Sequence, residues 1–126
     1  MAHILVIDDD EAIKKVFEQF LIHLNHRVET ASNGKEGLAK MKKEAPDLII
    51  TDIMMPEMDG LELVQAIRDY DPTLPIIAIS GGMQTSPMNF LPLAKRFGAC
   101  QVFEKPVTLV KLEAAIDKLL GISDPE

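Results

Sequence analysis

Four places in the chain set carboxylates, a hydroxyl or an amine directly after a candidate strand. Asp8-Asp9-Asp10 follows Ile4 to Ile7, Asp52 follows Leu48-Ile49-Ile50-Thr51, Ser80 follows Ile76 to Ile79, and Lys105 follows Gln101 to Glu104. Carboxylates gathered at one edge repel one another by about 1 kcal/mol per pair at 4 Å in water, and several-fold more in a partly buried crevice. A hard divalent cation offsets that repulsion. Mg²⁺ in particular is held by one or two carboxylates and leaves its other positions to water and phosphate oxygens. A metal, the Lys105 ammonium and the Ser80 hydroxyl around one carboxylate would suit a phosphoryl group, whose transfer needs mainly positioning and charge neutralisation. In such a setting the Asp52 carboxylate can attack phosphorus in line and become an aspartyl phosphate. Each residue taken singly has a plainer reading: a solvated strand end for Asp52, a turn hydroxyl for Ser80, a surface lysine for Lys105. For the three consecutive acids the plain reading is a helix N-cap, which accounts for one of them and not for three.

The elements that must position these residues follow from periodicity. Short apolar runs alternate with segments of helical spacing, five times over, which predicts βαβ units and a mainly parallel sheet. Strands are expected over His3 to Ile7, Arg27 to Ala31, Asp47 to Thr51, Ile76 to Ser80 and Gln101 to Glu104. The first helix is expected from about Glu11 to Leu24, with Ile13, Val16, Phe17, Phe20, Leu21 and Leu24 on its inner stripe. Asn33-Gly34-Lys35-Glu36 reads as an N-cap with a glutamate three residues on, opening a helix to about Glu44 that Pro46 stops. Asp59-Gly60-Leu61-Glu62 repeats that logic for a helix ending near Tyr70, with Leu61, Val64 and Ile67 facing inward. A further helix is expected around Asn89 to Phe97, capped by Gly98, and a last one over Leu109 to Leu120 between Thr108 and Gly121. In an open parallel sheet the carboxyl ends of the strands share one edge, where ligands bind. That edge would collect the acids, Ser80 and Lys105.

The 126 residues suit one domain, expected over residues 1–122 with a short tail at 123–126. A net charge of -7, from 13 basic and 20 acidic residues, disfavours nucleic acid and anionic lipid as direct partners. No apolar run approaches the roughly 18 residues of a membrane span, and the first is cut by acids where a signal peptide would continue, so a cytoplasmic location is expected. Cys100 is alone and reads as a small buried hydrophobe. His3, His23 and His26 share no ligand spacing, and His23 and His26 read as surface and cap residues.

The acidic pair in "VIDDD", the block "TDIMMPEMDG", the hydroxyl residue ending the fourth strand and the "KP" after the fifth together resemble the receiver domain of two-component response regulators, of the CheY-like, stand-alone single-domain type. The resemblance covers essentially the whole chain. It implies an α/β, three-layer, doubly wound (βα)5 flavodoxin-like fold with a five-stranded parallel sheet of order 2-1-3-4-5. It implies that Asp52 accepts phosphate from a sensor histidine kinase or a histidine phosphotransfer protein. Mg²⁺ would then be bound by Asp9, Asp52 and the backbone carbonyl of Met54, with Asp8 holding it through water. Lys105 would contact the phosphoryl group, and the Lys105-Pro106 bond would be cis. Such a protein is a phosphoacceptor, not an enzyme with a separate substrate, and signals to a downstream protein target as a monomer or as a phosphorylation-dependent dimer.

Three features bear on how closely the family pattern is kept. Val102 stands where members usually carry Tyr or Phe, and Phe103 would lie on the opposite face of its strand. The segment after Ser80 is a few residues longer than usual and begins Gly81-Gly82, which makes Met83 to Phe90 the expected partner-reading surface. Met54 and Gly82 occupy positions that influence hydrolysis in this family, and neither side chain can position an attacking water, so a long-lived phosphoryl group is expected. Two rival readings remain at this point. A haloacid-dehalogenase-type phosphohydrolase would use Asp8-x-Asp10, but its late acidic pair and room for a cap domain are missing. A receiver-like binding module would signal without phosphate.

Overall fold

The computed structural model describes residues 2–52, 60–80, 101–104 and 108–121. Within them the strands are β1 (His3–Ile7), β2 (Arg27–Ala31), β3 (Leu48–Asp52), β4 (Ile76–Ser80) and β5 (Gln101–Glu104). The described helices are α1 (Glu11–His23), α2 (Gly34–Lys43), α3 (Gly60–Tyr70) and α4 (Leu109–Leu120). All neighbouring strands pair in parallel, in the order β2-β1-β3-β4-β5. The expected helix around Asn89 to Phe97, its cap Gly98, Cys100 and the segment Met83 to Phe90 lie outside the described residues.

Helices cover both faces of the sheet, and the pleat decides which side chain goes where. Leu5, Ile7, Ile49, Ile76 and Ala78 pack with Met41 of α2 and Leu63, Val64 and Ile67 of α3. The alternate residues Ile4, Val6, Leu48, Ile50, Ile77 and Ile79 pack with Phe17 and Leu21 of α1 and Leu112, Ala115 and Ile116 of α4. Each fully buried Leu or Ile contributes about 1.5–3 kcal/mol relative to exposure, so a one-residue slip of a strand would forfeit its whole set. Val102 and Phe103 pack against opposite clusters, as alternation along β5 requires.

The caps are the ones expected from the residue types. Asp10 Oδ1 accepts from the N–H groups of Ala12 (2.9 Å) and Ile13 (3.2 Å), Asn33 Oδ1 from Glu36 N–H (2.8 Å), and Thr108 Oγ1 from Lys111 N–H (3.3 Å). Gly121 closes α4 at φ 74°, a left-handed conformation that suits glycine. Glu36 departs from the simple capping box: its carboxylate accepts the Ser32 N–H (2.8 Å), one residue ahead of the cap.

Three local expectations need correction. Val16 is 51% exposed, because Ile13, Phe17, Phe20 and Leu21 already span the part of α1 that meets the sheet. His26, expected among surface and cap residues, closes the end of α1 as a cap does, its N–H donating to the Leu21 carbonyl (3.0 Å), but it is buried because its Nδ1 accepts the Ala2 N–H (3.2 Å) beside the start of β1. β3 runs over Leu48–Asp52, one residue later than expected, which carries Asp52 into the ladder opposite Ile79.

Candidate functional site

The strand order reverses between β1 and β3: from β1 the chain passes outward to β2, then returns across to β3 and continues the other way. Beyond the carboxyl ends of those two strands lies the crevice in which open α/β sheets bind ligands. Register brings the acids there. Ile7 pairs with Thr51, so Asp8 leaves β1 beside Asp52 at the end of β3. Oxygens of Asp8, Asp9 and Asp52 all lie within 4.8 Å of one another. Asp8 and Asp52 are 3% and 5% exposed, whereas Asp9 is exposed.

The three consecutive acids divide their work. Asp10 caps α1, and its own N–H donates to Asp8 Oδ1 (2.8 Å), fixing the Asp8 carboxylate against the helix start. The Asp8 N–H in turn donates to the Ala31 carbonyl (3.0 Å), tying the end of β1 to the end of β2. The Thr51 hydroxyl donates to the backbone carbonyl of Asp52 (3.0 Å) from a fully buried position. Asp52 is thus held by strand pairing, burial and a side-chain bond to its own main chain.

Ser80 ends β4 and pairs in register with Glu104, the residue before Lys105. The backbone therefore carries the expected hydroxyl position to the same edge as Asp52. Met54, Lys105 and the Lys105-Pro106 bond lie outside the described residues. Val102 pairs with Ala78 on the face of α2 and α3.

A second polar group flanks the acids and was not anticipated. Lys14 is buried and donates to Glu11 Oε2 (2.9 Å) and to the Ser32 hydroxyl. The Glu11 carboxyl is held below its ordinary range, first by this hydrogen bond and then by the lysine charge. Glu36 is also lowered, chiefly by the Ser32 N–H, with Lys40 adding to it. The spacing of Glu11 and Lys14, three apart on a helix, was the one sequence signal available. Their link to Ser32 depends on β1–β2 pairing and could not be read from spacing.

All three described members of the acidic cluster offer hard oxygen donors, two of them buried, and this donor set fits Mg²⁺ better than a softer metal. The arrangement can concentrate positive charge beside one buried carboxylate, which is what a phosphoacceptor requires.

The family model for the response regulator receiver domain matches residues 4–117, and the chain belongs to that family. It is 36% identical to the DNA-binding transcriptional regulator NtrC of Azospirillum brasilense over 98% of this chain and 25% of that protein. It is 33% identical to the probable C4-dicarboxylate response regulator DctR of Halalkalibacterium halodurans over 92% of this chain and 50% of that protein. The chain thus spans half or less of the length of these relatives. Among solved structures, a response regulator receiver domain protein from Clostridium thermocellum matches with a TM-score of 0.87 at 31% identity, covering 96% of this chain and 95% of that one. A CheY-like receiver protein from Methanospirillum hungatei matches with a TM-score of 0.86 at 31% identity, covering 96% and 94%. The chain is therefore a two-component receiver domain with the flavodoxin-like sheet order. No helix among the described residues is long and apolar enough to cross a membrane.

Proposed function

We propose that Asp52 accepts a phosphoryl group from a sensor histidine kinase or histidine phosphotransfer protein in a Mg²⁺-dependent reaction, and that the phosphorylated chain signals to a protein target. The observation that carries this reading is the convergence of Asp8, Asp9 and Asp52 within 4.8 Å at the point where the strand order reverses. Asp9, Asp52 and the Met54 carbonyl would hold Mg²⁺, with Asp8 acting through water. Bound there, the ion would neutralise carboxylate and phosphoryl charge. An Asp52 oxygen forms the new bond to phosphorus as the phosphorus–nitrogen bond of the donor histidine breaks, and the departing imidazole keeps the electron pair and takes up a proton. Ser80 donates a hydrogen bond to one phosphoryl oxygen and Lys105 sets its ammonium against another. The pairing of β3, which carries Asp52 opposite Ile79, supplies the alignment.

Residues 1–122 form the phosphoacceptor unit in this reading, and the protein works in the cytoplasm. Its net charge of -7 favours a protein target over direct nucleic-acid contact. With Val102 in place of an aromatic residue, coupling runs through the backbone after Ser80. Because neither Met54 nor Gly82 can position water, the acyl phosphate is long-lived; decay complete within seconds would count against this.

The test is an intact-mass spectrum after incubation with acetyl phosphate and Mg²⁺. One added phosphoryl group is expected, absent without Mg²⁺ and absent in Asp52→Asn. Free phosphate released in many-fold excess over protein, with no adduct, would replace this reading by a phosphohydrolase. Neither adduct nor turnover would replace it by a phosphate-independent binding module.

A further inference from the structure

The opposite end of the sheet carries a second convergence of ligand atoms, unrelated to Asp52. His3 opens β1, Glu29 lies on β2 and Glu44 caps the C-terminus of α2. One ligand atom from each lies within 4.8 Å of the others. Asp8 lies five residue steps along the chain from His3, about 16 Å at strand rise, so the two clusters cannot share an ion.

We propose that His3, Glu29 and Glu44 form a binding site for a borderline divalent metal of the zinc class. The donor chemistry differs from that of the acidic crevice: one imidazole and two carboxylates suit zinc, whereas an all-oxygen set suits Mg²⁺. The imidazole is the rigid member. Its side chain is only 9% exposed, and its backbone is clamped on both sides, the His3 N–H donating to Asp47 Oδ2 (2.8 Å) and the Asp47 N–H to the His3 carbonyl (2.7 Å). His3 Nε2 stands 3.0 Å from Glu29 Oε1, already close to the roughly 3.3 Å between ligands of a tetrahedral ion with bonds of about 2.0 Å. The carboxylates are the adjustable members, 36% and 48% exposed.

Two features set the strength of the site. Glu44 is engaged by a two-pronged Arg27 ion pair, but the pair is half exposed, and such pairs contribute only about 0–1 kcal/mol. A metal can therefore displace the arginine. In the metal-free protein the Glu29 carboxylate favours the proton on Nε2, so metal binding must free the Nε2 lone pair by moving that proton to buried Nδ1, which among the described residues has no hydrogen-bond partner. A metal-bound histidine normally donates that second N–H, and lacking an acceptor weakens binding by roughly 10–100-fold relative to a fully supported site. The site is thus a weak, exchangeable one with an open fourth position.

The test is titration of the full chain with Zn²⁺ by calorimetry in saturating Mg²⁺, repeated on Asp52→Asn so that the acidic crevice is separated from the reading. One Zn²⁺ per chain is expected on both, weakened at least tenfold by Glu29→Gln, by Glu44→Gln and by His3→Gln. The two glutamate variants, at half-buried Glu29 and exposed Glu44, do not depend on the fold tolerating a change at buried His3. Electron paramagnetic resonance with Cu²⁺ as a probe should show coupling to one imidazole nitrogen that is lost in His3→Gln and retained in His23→Gln and His26→Gln. Zn²⁺ binding unchanged in both glutamate variants, or nitrogen coupling lost with His23 instead, would mean an adventitious ion only and overturn the proposal.

Discussion

His26 shows how one buried side chain ties stability to pH. Its Nδ1 accepts the Ala2 N–H (3.2 Å), so the neutral ring is the form that fits, and a proton on Nδ1 would face another donor. Burial is the main cause that holds its pKa below the ordinary histidine value, the amino terminus adds to this, and Asp117 opposes it. The unfolded chain therefore takes up this proton at a higher pH than the folded one. Stability is intact above about pH 6.5 and declines as pH falls from there to the lower folded value. Urea midpoints measured from about pH 7.5 to about pH 5.5 should fall in the native protein, and the slope should flatten in His26→Gln. An unchanged slope in the variant would remove His26 as the source. Glu11, Glu36, Glu44 and Asp71 are all lowered, so their losses begin further into acid and leave this window to the histidine.

At the scale of elements, α2 comes close against the strand that leads to the site at Gly37. A Cβ placed there would lie 2.4 Å from Ile7 Cδ1 and 2.9 Å from Cγ1, and Ile7 is buried immediately before Asp8. Replacing a helical glycine by alanine gains up to about 1 kcal/mol from the unfolded chain. Overpacking typically costs about 1–3 kcal/mol, and Ile7 has little room to yield. Gly37→Ala is thus expected to lose about 1 kcal/mol net, read as a lower urea midpoint at unchanged slope; a higher midpoint would show that α2 can lift away from β1 freely. The element boundaries themselves were largely legible, because caps such as Asp10, Asn33, Thr108 and Gly121 and the two periodicities are local properties. Asp52 was legible for the same reason, an acid closing an apolar run. What spacing could not reveal depends on partners chosen in three dimensions. Val16 falls on a helical stripe yet faces solvent, Leu63 shares the inner face of α3 with Val64 and Ile67, and Lys14 reaches the Ser32 hydroxyl and His3 the Glu29 carboxylate only through β1–β2 pairing.

For the whole molecule, the consequence of gathering acids at the turning point of the sheet is stored repulsion. A chain of net charge -7 already resists compaction, and three carboxylates within 4.8 Å, two of them buried, add to it. Each pair costs about 1 kcal/mol in water-like surroundings and more where burial reduces screening. Removing one charge while keeping shape should therefore stabilise the metal-free domain. Asp52→Asn is expected to raise the thermal midpoint without Mg²⁺ by several degrees, since about 1 kcal/mol corresponds to roughly 4 °C for a domain of this size. Mg²⁺ at tenfold its dissociation constant should stabilise the native protein by about 1.4 kcal/mol through mass action, and the variant by much less, because its affinity is lower. Under the proposed function the two effects move together: the charge that lowers stability without metal is the one expected to bind it. A variant melting below the native protein in the absence of Mg²⁺ would show that the contacts of Asp52 outweigh the repulsion. Equal Mg²⁺ shifts in both proteins would place the ion away from Asp52.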